Sequence, residues 1–336
     1  MKRRKFLATS AGTALAATAP AAFGKQLANV VGQPETLVKT FYDSLNEQQR
    51  ELMCFGFDHE LRSKVDNNWR ITKASVGKNF GKDQQAMIRQ IFRDLHSAEY
   101  ADAVYQQVAG DGGGDDGFGK CSVGVFGEPG TGKFEFVLTG RHCTRRCDGD
   151  SVEGSAFGGP IFYGHASQGF NEAPDHPGNA YWFQAKAANK VFTSLDGAQR
   201  KQSLYNGRRP EKGTSTVDLT GNQFGLPGIA LSDLSADQKE LVMDSLGECL
   251  APFRKADRDE SMKLIKKGGT ENLHLAYYQK QDLGKDGVWD VWQIEGPSMV
   301  WYFRGAPHVH AWAHIKDPAN MVGGREHCKP TGPEPC

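Results

Sequence analysis

His308 and His310 stand two residues apart in a run, His308-Val309-His310-Ala311-Trp312-Ala313-His314-Ile315, that alternates as a β-strand does. Positions i and i+2 of a strand share a face, so a His-x-His pair can offer two imidazoles to one metal ion. Trp312 and His314 fall on the same face, and Val309, Ala311 and Ala313 on the other. Two more imidazoles come from the middle of the chain: His142, in Gly140-Arg141-His142-Cys143, and His165, which ends the Gly-rich run Gly158 to His165. Together His142, His308, His310 and His165 predict a transition-metal centre for copper, iron or zinc. Neutral imidazole suits all three, and three protein ligands would leave a position open for water or substrate. Glu295 and Asp290, one strand earlier, could supply a carboxylate ligand or take an imidazole N–H, with Glu295 as general base. Arg304 and Arg141 could clamp an anionic substrate with paired hydrogen bonds, although a salt bridge from Arg304 to Glu295 is the plain alternative.

These side chains need a scaffold, and the sequence predicts an α+β one: helical hairpins flanking an antiparallel sheet that ends in a C-terminal strand meander. Val288 to Glu295, Met299 to Arg304 and His308 to Ile315 are the meander, punctuated by Gly296-Pro297 and Gly305-Ala306-Pro307. Helices are expected over Asp83–Leu95, Ala98–Val108 and Ala256–Lys266. Three look-alike segments, 44–50, 194–200 and 233–239, read as helix starts capped by Asn46, Asp196 and Ser235, an echo rather than a true repeat. Gly110 to Gly119 reads as a flexible acidic loop. The phosphate-loop look-alike Gly127 to Lys133 is followed by Phe134 where Ser or Thr is required, and by a strand pattern where a helix is required, so it is a turn between strands. Asp282 to Gly287 likewise lacks the oxygen ligands of a calcium loop.

Composition excludes some partners. Forty basic and forty acidic residues leave no basic excess for nucleic acid or an anionic membrane. No run after the N-terminus reaches membrane-spanning length. Met1-Lys2-Arg3-Arg4-Lys5-Phe6-Leu7, followed by small and apolar residues to Ala22, resembles a twin-arginine export signal over residues 1–23. The expected setting is periplasmic or secreted, with the export machinery as a partner. A single domain over 24–322 and a Pro/Gly-rich tail over 323–336 would follow. Seven Cys in such a compartment predict disulfides, with Cys328 and Cys336 closing a small loop and Cys143/Cys147 left between bridge, ligand pair and separate thiols.

Several blocks together carry a family resemblance: Phe-Gly-Glu-Pro-Gly from Phe126, Gly-Arg-His at Gly140, Phe-Gly-Gly-Pro-Ile-Phe-Tyr-Gly-His from Phe157, Leu-Ser-Ala-Asp-Gln-Lys from Leu234, and the long block from Asp290 to His310. The chain resembles the domain of unknown function 3500 family over roughly residues 37–315. Where that family's pattern has Gly-His-His, this chain has Gly140-Arg141-His142, which implies one potential ligand fewer. The resemblance implies a shared fold and no assigned chemistry. Chemistry therefore rests on the site: an exported, metal-dependent enzyme leaning towards redox chemistry on a small-molecule substrate. The alternatives are a zinc-type hydrolase using the same histidines, and a non-enzymatic protein that binds metal or a small ligand.

Overall fold

The computed structural model describes residues 32–113, 117–166, 180–282 and 287–320. The expected signal, the tail with Cys328 and Cys336, and part of the Gly110 to Gly119 stretch lie outside these residues.

The meander forms as its alternation dictates. Strands β9 (Val291–Gly296), β10 (Met299–Arg304) and β11 (Val309–Ile315) pair antiparallel in succession. Trp292, Ile294, Trp301, Phe303, Ala311 and Ala313 point to the main core, while Val291, Val300, Tyr302 and Trp312 join a smaller core on the opposite face. The predicted first strand starts three residues late, at Val291, and His308 precedes β11 rather than opening it.

Eight further strands complete the sheet: β1 (Cys54–Phe55), β2 (Ser122–Gly127), β3 (Phe134–Gly140), β4 (Cys143–Cys147), β5 (Ile161–His165), β6 (Leu204–Tyr205), β7 (Ile229–Ala230) and β8 (His274–Tyr278). Their order is β1-β2-β3-β4-β5-β11-β10-β9-β8-β6, with β7 paired to β8. That order is a palindrome. β1 pairs parallel with β2 just as β6 pairs parallel with β8, and the two halves meet where β5 runs antiparallel to β11.

The helices repeat the same scheme. Helices α1 (Pro34–Asp43), α2 (Glu47–Met53), α3 (Lys82–Asp94) and α4 (Ala101–Asp111) belong to the first half. Helices α5 (Trp182–Ser194), α6 (Gly197–Ser203), α7 (Ala236–Leu250) and α8 (Lys255–Lys267) belong to the second. The predicted caps hold: Asn46, Asp196 and Ser235 each accept from the backbone N–H three residues on, and each has a Gln there that reaches back. Those glutamines also pair between helices, Gln49 with Gln84 at 2.9 and 3.0 Å and Gln199 with Gln238 at 3.0 and 2.8 Å. The echo read as mere helix starts is thus a structural repeat, with 44–50 matching 194–200 and Gly81–Gln84 matching Ser235–Gln238.

The expectation of disulfides fails among the described residues: Cys54, Cys121, Cys143, Cys147 and Cys249 are all free thiols. Cys143 and Cys147 lie four residues apart on one strand, about 13 Å, far beyond the reach of a disulfide. Both face the core, where burial pushes the Cys143 thiol up to about 11 and Cys147 well above the ordinary range. Neither is a thiolate nucleophile at neutral pH.

Where β4 ends, burial raises the Asp148 carboxyl to about 6, helped by the neighbouring charges of Glu135 and Asp150. A folded-state value above the unfolded one means that the ionised form opposes folding at neutral pH, and that this cost fades as pH falls from about 6 towards 4. Asp148→Asn keeps the acceptor for the Val152 N–H at 2.9 Å and is expected to unfold at a higher temperature than wild type at pH 7.5. The advantage, on the order of 2 kcal/mol, should vanish near pH 4; a pH-independent difference in melting temperature would refute the assignment.

Candidate metal centre

The site forms where the two halves of the sheet meet. His310 sits opposite Arg304 of β10 on one side and Gly164 of β5 on the other. β5 in turn pairs with β4 through Tyr163 and Cys143, so His142, one residue before β4, comes beside Gly164. His142 takes a left-handed backbone conformation, φ 54°, and its N–H donates to the Asn67 carbonyl at 2.9 Å. That twist brings its ring alongside the other two imidazoles. Ring centroids lie 5.0 Å from His142 to each of His308 and His310, and 4.6 Å between the latter two.

Gly164 is what lets the rings approach. A β-carbon there would stand 2.2 Å from the Val309 carbonyl oxygen and 3.3 Å from the His310 ring. Gly164→Ala is therefore expected to force β5 and β11 apart and to lower stability by several kcal/mol. Denaturant unfolding checks this, and a wild-type midpoint would refute it.

Two carboxylates orient the rings. Nδ1 of His142 donates to Asp111 at 2.6 Å, and Nδ1 of His310 donates to Glu211 at 2.6 Å. Carboxylates only accept, so each Nε2 is left with its lone pair turned away from the acid. The Nε2 atoms of His308 and His310 stand 2.9 Å apart. Two nitrogens sharing one tetrahedral ion at ~2.05 Å would be about 3.3 Å apart, so little movement separates the two arrangements. One ligand atom from each of His142, His308 and His310 can be chosen so that all lie within 4.8 Å of one another.

Electrostatics keep His308 and His310 neutral, the form that binds metal. Burial, with the nearby His310, Arg304 and His142, lowers His308 to about 3. Burial lowers His310 to about 4 against the opposing pull of Glu211. Burial also acts to raise the Glu211 carboxyl, but contacts with His310, Arg304 and Tyr302 outweigh it and hold the acid below its ordinary range. Arg304 reaches Glu211 Oε1 at 3.3 Å through Nε and lies 3.5 Å from His308 Nε2 through Nη2, at the rim of the cluster. Phe162 packs its ring against His310 at 5.1 Å, below the site.

The other expected site residues lie elsewhere. His165 pairs with Val309 rather than His310, which turns it to the opposite face, and its Nδ1 is 3.7 Å from Asp111. Glu295 stands opposite Val300, and Val300 opposite His314, four residues or about 13 Å along the sheet from the Arg304–His310 row. Its carboxylate accepts from the Gln293 amide, and burial raises it above the ordinary range. Asp290 is buried ahead of β9, where its carbonyl accepts from the Gly305 N–H at 2.5 Å. His314 donates Nδ1–H to the Val217 carbonyl at 3.1 Å, and Arg141 lines a separate cleft. Sequence reasoning missed Asp111 and Glu211. Asp111, read as loop, is the last residue of α4, and Glu211 sits in an irregular segment with no local pattern to mark it.

A family described as "Protein of unknown function (DUF3500)" matches residues 28–319. The chain belongs to this family. No curated protein and no solved structure matches it. Among the described residues no helix is long and apolar enough to cross a membrane.

Proposed function

We propose that this chain is an exported metalloprotein in which His142, His308 and His310 hold one transition-metal ion, and that it acts as a redox-leaning enzyme on a small substrate. The observation that carries the reading is the meeting of three imidazoles, two of them fixed through Nδ1 on buried carboxylates. This is the arrangement that raises ligand basicity and sets the tautomer in metal sites. When bound, the ion would supply Lewis acidity or a redox couple. The chain's own residues keep His308 and His310 neutral, pack Phe162 against the His310 ring, and place the Arg304 guanidinium where it can pair with an anionic substrate group.

Redox chemistry is favoured over water activation by the fate of the acids. Asp111 and Glu211 are committed to imidazole N–H groups, and Glu295 is about 13 Å along the sheet, so among the described residues no carboxylate at the cluster is left as a general base. The basic Arg3-Arg4 opening supports export, and the family match begins downstream of it.

Elemental analysis of protein purified from its export route tests the proposal. Copper or iron near one ion per chain supports it, and zinc at that level favours the hydrolase reading instead. No metal after purification and none taken up on titration with copper, iron or zinc would overturn the centre.

A further inference from the structure

His310 and Arg304 face each other on neighbouring strands, so their side chains leave the sheet on the same side. The guanidinium is divided between two neighbours. Its Nε turns to Glu211 Oε1 at 3.3 Å, while its Nη2 stands 3.5 Å from His308 Nε2. Glu211 is shared in turn, since it accepts from His310 Nδ1 at 2.6 Å and from the Tyr302 hydroxyl at 3.3 Å. One edge of Arg304 is therefore anchored on an acid, and the other is aimed at the imidazoles.

An ion in this cluster changes what that second edge meets. Whatever lone pair His308 Nε2 offers the guanidinium is the one that an ion takes, so Nη2 loses that acceptor and stands beside the ion as a donor. Imidazole ligands bring no charge, and the two acids stand behind their rings on Nδ1 rather than on the ion. A divalent ion with three such ligands keeps its full charge and an open position. A carboxylate answers both the ion and the guanidinium. Its two oxygens share one negative charge, and one can bind the ion while the other accepts from Nη2.

We propose that the substrate is a small carboxylic acid that binds the ion directly through one carboxylate oxygen and Arg304 through the other, and that it binds only after the ion. This rests on the metal centre proposed above and adds to it the class of substrate and the order of binding. Arg304 is a binding residue for the acid and not for the ion. Its side chain is 20% exposed, and its loss leaves Glu211 with His310 and Tyr302, so Arg304→Gln is expected to fold and to hold metal as wild type.

The full chain loaded with copper(II), the divalent ion that imidazole sites hold most tightly, and titrated with acetate and with azide tests the proposal by absorption and electron paramagnetic resonance. Acetate is expected to shift the copper spectrum of wild type, and about tenfold more of it to be needed in Arg304→Gln. Arg304→Lys keeps the charge without the planar fork and should fall between the two. Azide, which takes the ion through a nitrogen and carries no carboxylate, should be weakened much less than acetate in either variant. Calorimetry of the metal-free chain should show no acetate binding. Copper near one ion per chain in all three proteins, with a spectrum that acetate does not move or moves alike in all, would overturn the carboxylate assignment and leave the metal centre standing. Equal weakening of acetate and azide would reduce the role of Arg304 to plain charge attraction and overturn it too, and acetate bound without metal would overturn the order. Wild type that takes up no copper would remove the metal centre and this proposal with it.

Discussion

Protein carrying His308→Ala together with His310→Ala is expected to retain less than about a tenth of the metal that wild type holds, with its fold intact. Two of three ligands vanish, and a lone His142 cannot hold a divalent ion against water. The fold should survive because the two rings lie on the face with the smaller core. Val309, Ala311 and Ala313, which pack into the main core, are untouched. Removal of the imidazoles leaves the Glu211 carboxylate with Arg304 at 3.3 Å and Tyr302 at 3.3 Å, so the buried acid keeps partners. Metal analysis beside circular dichroism decides the matter. Full metal content in a folded double variant would mean that these histidines are core residues.

The second large effect is expected at residues that touch no metal. Asp111→Asn and Glu211→Gln keep the shape and one acceptor oxygen but remove the charge that fixes His142 and His310. Each is expected to weaken metal binding about 10–100-fold, read by competition with a chelator. Glu295→Gln serves as the contrast and should leave affinity unchanged, because Glu295 belongs to the other end of the hairpin. Equal affinities in all three variants would show that the two short carboxylate contacts do not tune the imidazoles.

Much of the scaffold was legible because it obeys local rules. Period-two alternation gave the meander, and the polar caps Asn46, Asp196 and Ser235 gave the starts of α2, α6 and α7. The His-x-His face followed from the same period. Glu295 was misplaced for a reason the sequence already contained: a two-residue turn at Pro297-Ser298 puts Glu295 beside the turn and Arg304 at the far end. Asp111 and Glu211 could not be found in this way. Each meets its histidine across 31 and 99 residues of chain, and such pairings come from tertiary packing, not from any local pattern. The disulfide expectation followed from the inferred compartment, but four of the five described cysteines are used as buried apolar groups. The twofold scheme showed only as an echo because capping residues alone repeat, while the side chains that do chemistry do not.

That palindromic sheet gives the histidine cluster a mechanical meaning. His142 and Asp111 come from one half, and His308, His310, Arg304 and Glu211 from the other, so neither half owns a complete site. An ion held there is a clasp across the seam between β5 and β11, and its binding energy is also energy that resists parting the halves.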